Sequence, residues 1–265
     1  GGMASQGVMG VMGFPRREDR VRGETMVLGL TGSVGMGKST VSAMFRELGI
    51  AVSDADAVVR ELYAKGGAAV EPVRRLFGDE VIGEDGGISR PALSELAAGE
   101  ANAESLRRVE EEVVFPLVDQ RREEFIRDAV SRGDELVVLE LPLLMERGQE
   151  RLCDVVAVAS APAQIQRRRV LDRSGMVEAE FEAILAKQVP DAEQRRRADV
   201  VIKTGTWEEV TRSDVEDLVV SLRRKVEKER RRRAFAKWLM VALCVGAAGT
   251  LLFLGDPKDG RRAEL

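Results

Sequence analysis

Short apolar runs alternate along this chain with longer segments whose apolar residues recur at helical spacing. Between the first two runs, residues 38–48 place Val41, Met44, Phe45 and Leu48 on one side of a helix. Runs of this kind that alternate with helices predict a parallel sheet in an α/β fold. Five runs have the length of strands that are buried on both faces: 26–31, 50–54, 135–140, 154–159 and 199–202.

The composition is that of a globular protein with one or two domains. The chain has 265 residues, of which 44% are apolar and 32% are charged. It contains no histidine and two cysteines. Serine–histidine–aspartate triads, cysteine–histidine dyads and histidine-ligated metal sites are therefore excluded. The low cysteine content favours a reducing compartment and a cytoplasmic location.

The net charge of −4 is unevenly distributed. Residues 223–265 contain 12 basic and 5 acidic residues, a formal charge of +7, which leaves −11 for the first 222 residues. Binding to nucleic acid requires a basic face that neutralises phosphates. The acidic body is therefore expected not to bind nucleic acid.

An uncharged, mostly apolar stretch at 238–255 follows the basic run. Its 18 residues are at the lower limit for a helix that crosses a bilayer. We therefore predict a basic linker and transmembrane tail at 225–265, with the rest of the chain facing the cytosol. The alternative is a hydrophobic helix that docks on the body or in a homodimer. Residues 1–24 are predicted to be a disordered leader, because they lack the apolar core of a signal peptide.

The strongest motif is Gly-Ser-Val-Gly-Met-Gly-Lys-Ser at 32–39, a full match to G-x-x-x-x-G-K-[ST]. It lies between an apolar strand and a helix, where glycines can turn backbone N–H groups toward phosphates. The alternative is a glycine-rich turn before an ordinary helix. Lys38 would bridge the β- and γ-phosphates of ATP, and Ser39 would ligate Mg²⁺. The predicted nucleotide-binding residues are Gly32, Ser33, Val34, Gly35, Met36, Gly37, Lys38, Ser39 and Thr40.

Carboxylates follow two of the predicted strands. Asp54 and Asp56 end the second strand, at the edge where open α/β sheets bind ligands. One could accept a proton from the acceptor and the other could help Mg²⁺ or orient the substrate; the alternative for Asp54 is to cap the next helix. Glu140 ends the third strand and is a second candidate Mg²⁺ ligand.

Two further segments carry candidate residues. Arg169 and Arg173 follow the fourth strand at helical spacing and could close over ATP, whereas Arg167 and Arg168 are expected on a solvated face. The apolar turn at 141–146 could line a substrate pocket or belong to the core. No guanine-reading N-K-x-D element is present, and a body of about 200 residues favours a small-molecule kinase.

In combination, these motifs resemble those of the dephospho-coenzyme A kinase family. The resemblance covers about residues 26–219. The segments that carry it are Gly29–Thr40, Leu48-Gly49, Asp54-Ala-Asp56 with Arg60, Phe77-Gly78, Ile88-Ser-Arg90 with Leu93, Pro142–Glu146, Gln166 with Arg169 and Arg173, Gln188, and Ala198-Asp-Val-Val-Ile202.

The resemblance implies ATP-dependent phosphorylation of the ribose 3′-hydroxyl of dephospho-CoA, the last step of coenzyme A synthesis, with Mg²⁺. It also implies the P-loop nucleoside-triphosphate hydrolase fold, in which a five-stranded parallel sheet carries a helical substrate domain and a lid. In this chain, the kinase domain would be 25–224, the substrate domain 57–132 and the lid 173–190.

The resemblance also implies roles for individual residues. Asp56 would be the base, and Lys38 and Arg173 would clamp the phosphates. The chain departs from the family pattern at Phe115, where histidine is usual before proline, and at Ile184, where arginine is common. The implied acceptor-binding residues are Asp54, Arg60, Arg90, Leu143, Leu144 and Glu146. Two functions remain as alternatives: a kinase for another small alcohol, and a membrane-tethered P-loop protein that binds nucleotide without turnover.

Overall fold

The computed structural model describes residues 25–96, 100–172 and 176–253, with side chains described as far as Met240. The predicted leader at 1–24 and the predicted clamp Arg173 lie outside these residues. Residues up to Val220 form one compact unit, and a second unit begins at Ser221. The predicted boundary at 224 lies four residues later in the chain.

The described part of the chain contains one sheet of five parallel strands, in the order β2-β3-β1-β4-β5. The strands in the middle of the sheet, β1, β3 and β4, are buried along their whole length, as their apolar sequences predict. The edge strands β2 and β5 are only partly buried, so the prediction of burial on both faces is wrong for them. The strand bounds are β1 Met26–Thr31, β2 Ala51–Asp54, β3 Leu136–Glu140, β4 Val155–Ser160 and β5 Val200–Lys203.

α-Helices occupy the connections between β1 and β2, between β2 and β3, and between β4 and β5, whereas that between β3 and β4 contains turns and a 3₁₀ segment; this pattern confirms the α/β prediction. Short 3₁₀ turns also occur at Asp79–Val81 and Gln149–Leu152. The helix bounds are α1 Lys38–Glu47, α2 Ala55–Tyr63, α3 Val70–Phe77, α4 Arg90–Leu96, α5 Glu100–Val109, α6 Phe115–Arg132, α7 Ala163–Leu171, α8 Glu178–Leu185, α9 Asp191–Arg197 and α10 Glu208–Phe253.

The five helices α2 to α6 form an insertion between β2 and β3, where the substrate domain is predicted. The insertion has an apolar cluster of its own, which includes Leu62, Val73, Val81 and Val118. A separate cluster includes Val137 and Leu139 of β3 together with Leu144 of the turn that follows this strand. The inserted helices therefore do not depend on the sheet alone for apolar burial.

A π-helical turn at Glu110–Val114 separates α5 from α6. Pro116 lies at the start of the helix that follows. A proline has no N–H to donate to the carbonyl four residues earlier, and its ring clashes with that carbonyl. In this chain that carbonyl belongs to Glu112, which lies within the π-helical turn. The wider π-helical turn therefore coincides with the place where proline prevents a regular α-helical hydrogen bond.

The predicted transmembrane tail receives no support. Across residues 25–96, 100–172 and 176–253, no helix is both long and apolar enough to span a bilayer. The charged run at 223–237 makes up most of the C-terminal side chains that are described. Most of the predicted span at 238–255 lies beyond Met240 and so falls outside the described side chains.

Candidate nucleotide and acceptor site

The glycine-rich loop joins the central strand β1 to helix α1, as predicted. Three of its glycines have positive φ angles, 143° at Gly32, 76° at Gly35 and 85° at Gly37. A Cβ atom at Gly32 would lie 2.5 Å from the Ala159 carbonyl oxygen. One at Gly35 would lie 2.5 Å from Val170 Cγ2. The loop conformation therefore requires glycine for both backbone and steric reasons.

The N-terminus of α1 is open to an anion. Its N-cap residue, Gly37, supplies no capping side chain, and the first turn contains no acidic residue. The first N–H groups of a helix lack partners within the helix and carry the positive end of its dipole. Ser39 and Thr40 are exposed in this first turn. This end of the helix is therefore suited to bind phosphate.

Lys38 holds its ammonium group against the same loop. Its Nζ atom donates hydrogen bonds to the carbonyl oxygens of Gly32 at 2.6 Å and of Ser33 at 3.2 Å. The positive charge therefore lies beside the backbone groups that would surround a phosphate.

Three glutamines form hydrogen bonds with the loop. Gln166 donates to the Val34 carbonyl oxygen at 2.8 Å, and the Val34 N–H donates to Gln188 Oε1 at 3.1 Å. Gln194 donates to Ser33 Oγ at 3.0 Å and is 2% exposed. These side chains come from α7, α9 and the segment before α9. The loop is thus fixed by distant parts of the chain, and Gln194 has no signal in the sequence motif.

Thr204 and Arg169 brace the loop from the β5 side. Thr204 Oγ1 donates to the Met36 carbonyl oxygen at 2.6 Å. Arg169 donates to the Thr204 carbonyl oxygen at 2.6 Å, and a Cβ atom at Gly37 would lie 3.4 Å from its guanidinium. The predicted nucleotide ligand Arg169 is therefore held beside the loop. Thr204 was missed because its position depends on how β5 pairs with β4.

Two carboxylates meet at the ends of β2 and β3. The parallel register places Asp54 opposite Glu140. Glu140 is 5% exposed and accepts a hydrogen bond from Ser42 Oγ at 2.6 Å. Burial raises the pKa of Glu140 above its ordinary value and the charge of Asp54 adds to this, whereas the Ser42 hydrogen bond, Lys38 and Arg46 oppose it. The burial of Glu140 thus disfavours its ionised form unless a neighbouring positive charge or hydrogen bond compensates for it.

The structure separates the roles of Asp54 and Asp56. Asp54 Oδ1 caps α2 by accepting the N–H groups of Asp56 at 2.9 Å and Ala57 at 3.1 Å. Its Oδ2 lies 3.9 Å from Arg60. Asp56 is exposed in the first turn of α2, and its carboxylate has no partner among the described residues. Asp54 therefore positions α2, while Asp56 is left available to a ligand.

The donors near the loop fit a magnesium ion that is shared with phosphate oxygens. Among the residues that the structure describes, no three acidic, cysteine or histidine side chains converge into a metal site. Mg²⁺ in kinases usually takes one or two protein oxygens, with phosphates and water completing its shell. Ser39 lies one turn before Ser42 on α1, and Ser42 contacts Glu140. Ser39 and Glu140 would thus be the residues that hold the ion.

The turn after β3 separates its predicted acceptor residues. Leu144 is fully buried in the core, whereas Leu143 is 43% exposed. Glu146 Oε1 accepts the Val189 N–H at 2.7 Å, and its Oε2 atom is buried with no hydrogen bond partner. Val189 follows Gln188, which contacts the phosphate loop. The turn is thus connected to the loop through residues 188–189.

The remaining predicted residues lie at different places on the surface. Arg90 is exposed, with its guanidinium 5.7 Å from the centre of the Tyr63 ring. Arg168 is exposed, as expected, with no ion pair in the described part of the chain. Arg167 is also exposed, as expected, and in addition forms ion pairs with Glu178 and Glu182. These contacts join α7 to α8, an arrangement that helical spacing within α7 alone does not indicate.

Known proteins resemble this chain in both sequence and fold. Residues 26–209 match the family model described as dephospho-CoA kinase. The dephospho-CoA kinase of Ruegeria pomeroyi is 45% identical over 199 residues, which cover 75% of this chain and 96% of the relative. That of Jannaschia sp. is 46% identical over 198 residues, which cover 75% of this chain and 97% of the relative.

Solved structures show the same similarity. TT1252 from Thermus thermophilus superposes with a TM-score of 0.61 at 34% identity, covering 75% of this chain and 98% of that one. The dephospho-CoA kinase from Campylobacter jejuni has a similar fold, with a TM-score of 0.54 at 18% identity and coverage of 75% and 98%.

The environment of Glu140 predicts a pH-dependent effect of Glu140→Gln on stability. Because burial raises the pKa of Glu140, the folded state holds its proton more tightly than the unfolded state does. The stability from this group is complete below the unfolded pKa and is lost as pH rises through the folded pKa. The free energy of unfolding of Glu140→Gln, minus that of the parent, should therefore increase with pH across this window.

Urea unfolding without nucleotide or Mg²⁺, at several pH values between about 4 and 8, measures this difference. Ser42→Ala is the matched control. It removes a hydrogen bond that favours the ionised carboxylate, so its own stability should fall more steeply with pH than that of the parent. A difference between Glu140→Gln and the parent that does not change with pH would contradict the prediction.

Proposed function

The chain belongs to the dephospho-CoA kinase family and catalyses the ATP-dependent phosphorylation of dephospho-CoA, the last step of coenzyme A biosynthesis; we propose that the phosphate loop and the start of α2 carry this reaction. One observation supports the proposal above all others. An open helix N-terminus with Lys38 lies next to strand ends that present Asp54, Asp56 and Glu140. Donor phosphate and acceptor base can therefore meet at one edge of the sheet.

The phosphate loop would hold the triphosphate of ATP. Backbone N–H groups at the start of α1 would bind phosphate oxygens, and the Lys38 ammonium would leave the Gly32 and Ser33 carbonyls to contact the β- and γ-phosphates. Arg169 is fixed by Thr204 beside Gly37 and would contribute a further positive charge. Such groups stabilise the charge on the transferring phosphoryl group because they are already oriented before reaction.

Mg²⁺, when bound, neutralises charge on the β- and γ-phosphates. The Ser39 hydroxyl would ligate it directly. The Glu140 carboxylate would hold the ion or its water, with Ser42 keeping that carboxylate in place. The positive charge of the ion would offset the cost of ionising a buried carboxylate.

Asp56 would orient the acceptor and take its proton. Its carboxylate is exposed, whereas that of Asp54 is engaged in capping α2. Phosphoryl transfer passes through a loose transition state, so the ribose 3′-hydroxyl would lose its proton late and orientation would matter most. Arg60 on the same helix, together with Arg90 and the exposed Leu143, would contact the rest of the acceptor. Arg173 stays a predicted phosphate clamp.

The second function to be separated is a kinase for another small alcohol, because the loop and its magnesium ligands do not identify the acceptor. We expect the purified protein with MgATP to release ADP rapidly with dephospho-CoA and at background rates with AMP or shikimate. A coupled assay for ADP measures all three rates. A higher rate with AMP or shikimate would contradict the assignment, and background rates with every acceptor would indicate a nucleotide-binding protein without turnover.

Asp56→Asn should lower kcat by about 100-fold or more and change the KM for dephospho-CoA by less than about threefold. The amide can still occupy the space of the carboxylate, but it cannot take the hydroxyl proton. Glu61→Gln is the matched control, because Glu61 is an exposed carboxylate on the same helix and should keep parental kinetics. Parental turnover by Asp56→Asn in steady-state kinetics would remove Asp56 from this role.

A further inference from the structure

Arg147 connects the turn after β3 to the helical insertion. It directly follows Glu146, and its guanidinium carbon lies 3.7 Å from the centre of the Phe115 ring. Phe115 is the first residue of α6 and follows the π-helical turn. The distance is well within the range of a cation–π contact. Two segments separated by more than thirty residues thus meet through this pair.

The hydrogen-bonding edge of Arg147 is available to a ligand. Among the side chains that the structure describes, Arg147 forms no ion pair and no side-chain hydrogen bond, although part of it is exposed to solvent. An arginine can stack one face on an aromatic ring while its five N–H donors point outward in the plane of the guanidinium. The Phe115 ring therefore orients the group without occupying its donors.

The acidic side chains near Arg147 do not neutralise its positive charge. Burial lowers the pKa of Arg147, and Arg122 lowers it further, while Asp119 and Glu110 oppose this. Arginine nevertheless stays charged at neutral pH. Asp119 is paired with the buried Arg122 at 2.9 Å. Burial raises the pKa of Glu110 and the charge of Arg147 opposes this, but the two side chains form no ion pair within the described part of the chain. The guanidinium of Arg147 is therefore not occupied by an ion pair with either carboxylate.

The position of the pair assigns it to the acceptor rather than to ATP. The segment that carries Arg147 follows β3 directly after Glu140. Strand β3 pairs with β2, and Asp56 follows the end of β2. Phe115 belongs to the insertion between those strands, whereas the phosphate loop follows β1. Dephospho-CoA carries a diphosphate on the ribose that is phosphorylated, and a planar guanidinium edge can bind two phosphate oxygens at once.

We propose that Arg147, held against the Phe115 ring, binds the diphosphate of the acceptor. This rests on the function proposed above and makes Arg147 a determinant of acceptor affinity, with Phe115 as its positioning residue. It also gives Phe115 a use at a position where the sequence pattern departs from the family.

Steady-state kinetics with each substrate varied in turn test the proposal. Arg147→Gln should raise the KM for dephospho-CoA about tenfold, as expected for the loss of one charge-assisted contact, and leave kcat and the KM for ATP within about twofold. Arg147→Ala provides the same test if the glutamine variant is poorly folded. Arg151→Gln is the matched control, because Arg151 is exposed four residues later, and it should have parental constants.

The positioning role of Phe115 is tested by two variants of similar size. Phe115→Leu removes the ring and should raise the KM for dephospho-CoA several-fold, while Phe115→Tyr keeps the ring and should retain the parental value. Thermal unfolding of each variant is measured alongside. The role would be overturned if Phe115→Tyr raised the KM for dephospho-CoA as much as Phe115→Leu does. It would also be overturned if Phe115→Leu raised the KM for ATP to the same extent.

The outcomes separate the two proposals. If the parent protein phosphorylates dephospho-CoA and both Arg147 variants keep the parental KM for it, the acceptor-binding role of Arg147 fails while the function stands. The same holds if Arg151→Gln shows an equal increase. If the parent protein does not turn over dephospho-CoA, both proposals fail.

Discussion

The open N-terminus of α1 is the feature on which the rest of the site depends. Gly32, Gly35 and Gly37 adopt backbone angles that place the loop around a phosphate, and the neighbouring backbone and side chains leave no room for a Cβ atom at the first two. Side chains from other helices and from the segment after β5 then hydrogen-bond to the loop. An anion site built in this way needs little rearrangement when the nucleotide arrives.

The parallel sheet brings the acceptor chemistry to this loop. Because β3 lies between β2 and β1, the carboxyl ends of all three strands meet at one edge. Asp54, Glu140 and the loop residues are distant in sequence, yet they become neighbours through strand register alone. Buried carboxylates are costly unless they are compensated. For Glu140, the hydrogen bond from Ser42 compensates part of this cost, and the cation expected at this position would compensate more.

Local features were predictable from the sequence, and contacts between distant segments were not. The β1–loop–α1 unit and the strands follow from apolar runs, glycines and one motif, because their geometry is set within a few residues. The sequence left two roles open for Asp54, and only the N–H groups at the start of α2 show that it is a cap. Gln194, Thr204 and Arg147 reach the site through strand pairing and helix packing, which leave no mark on their local sequence. The ion pairs that Arg167 forms with α8 were not predicted for the same reason.

The central claim is that a phosphoryl group held by this loop moves to one hydroxyl of an acceptor steered by an aspartate. Phosphorus NMR of a completed reaction between MgATP and dephospho-CoA tests it most directly, because it reports which bond has formed. The account requires ADP and a single new phosphomonoester on the ribose 3′ carbon in equal amounts. Inorganic phosphate in place of the ester, or an ester at another oxygen, would contradict it.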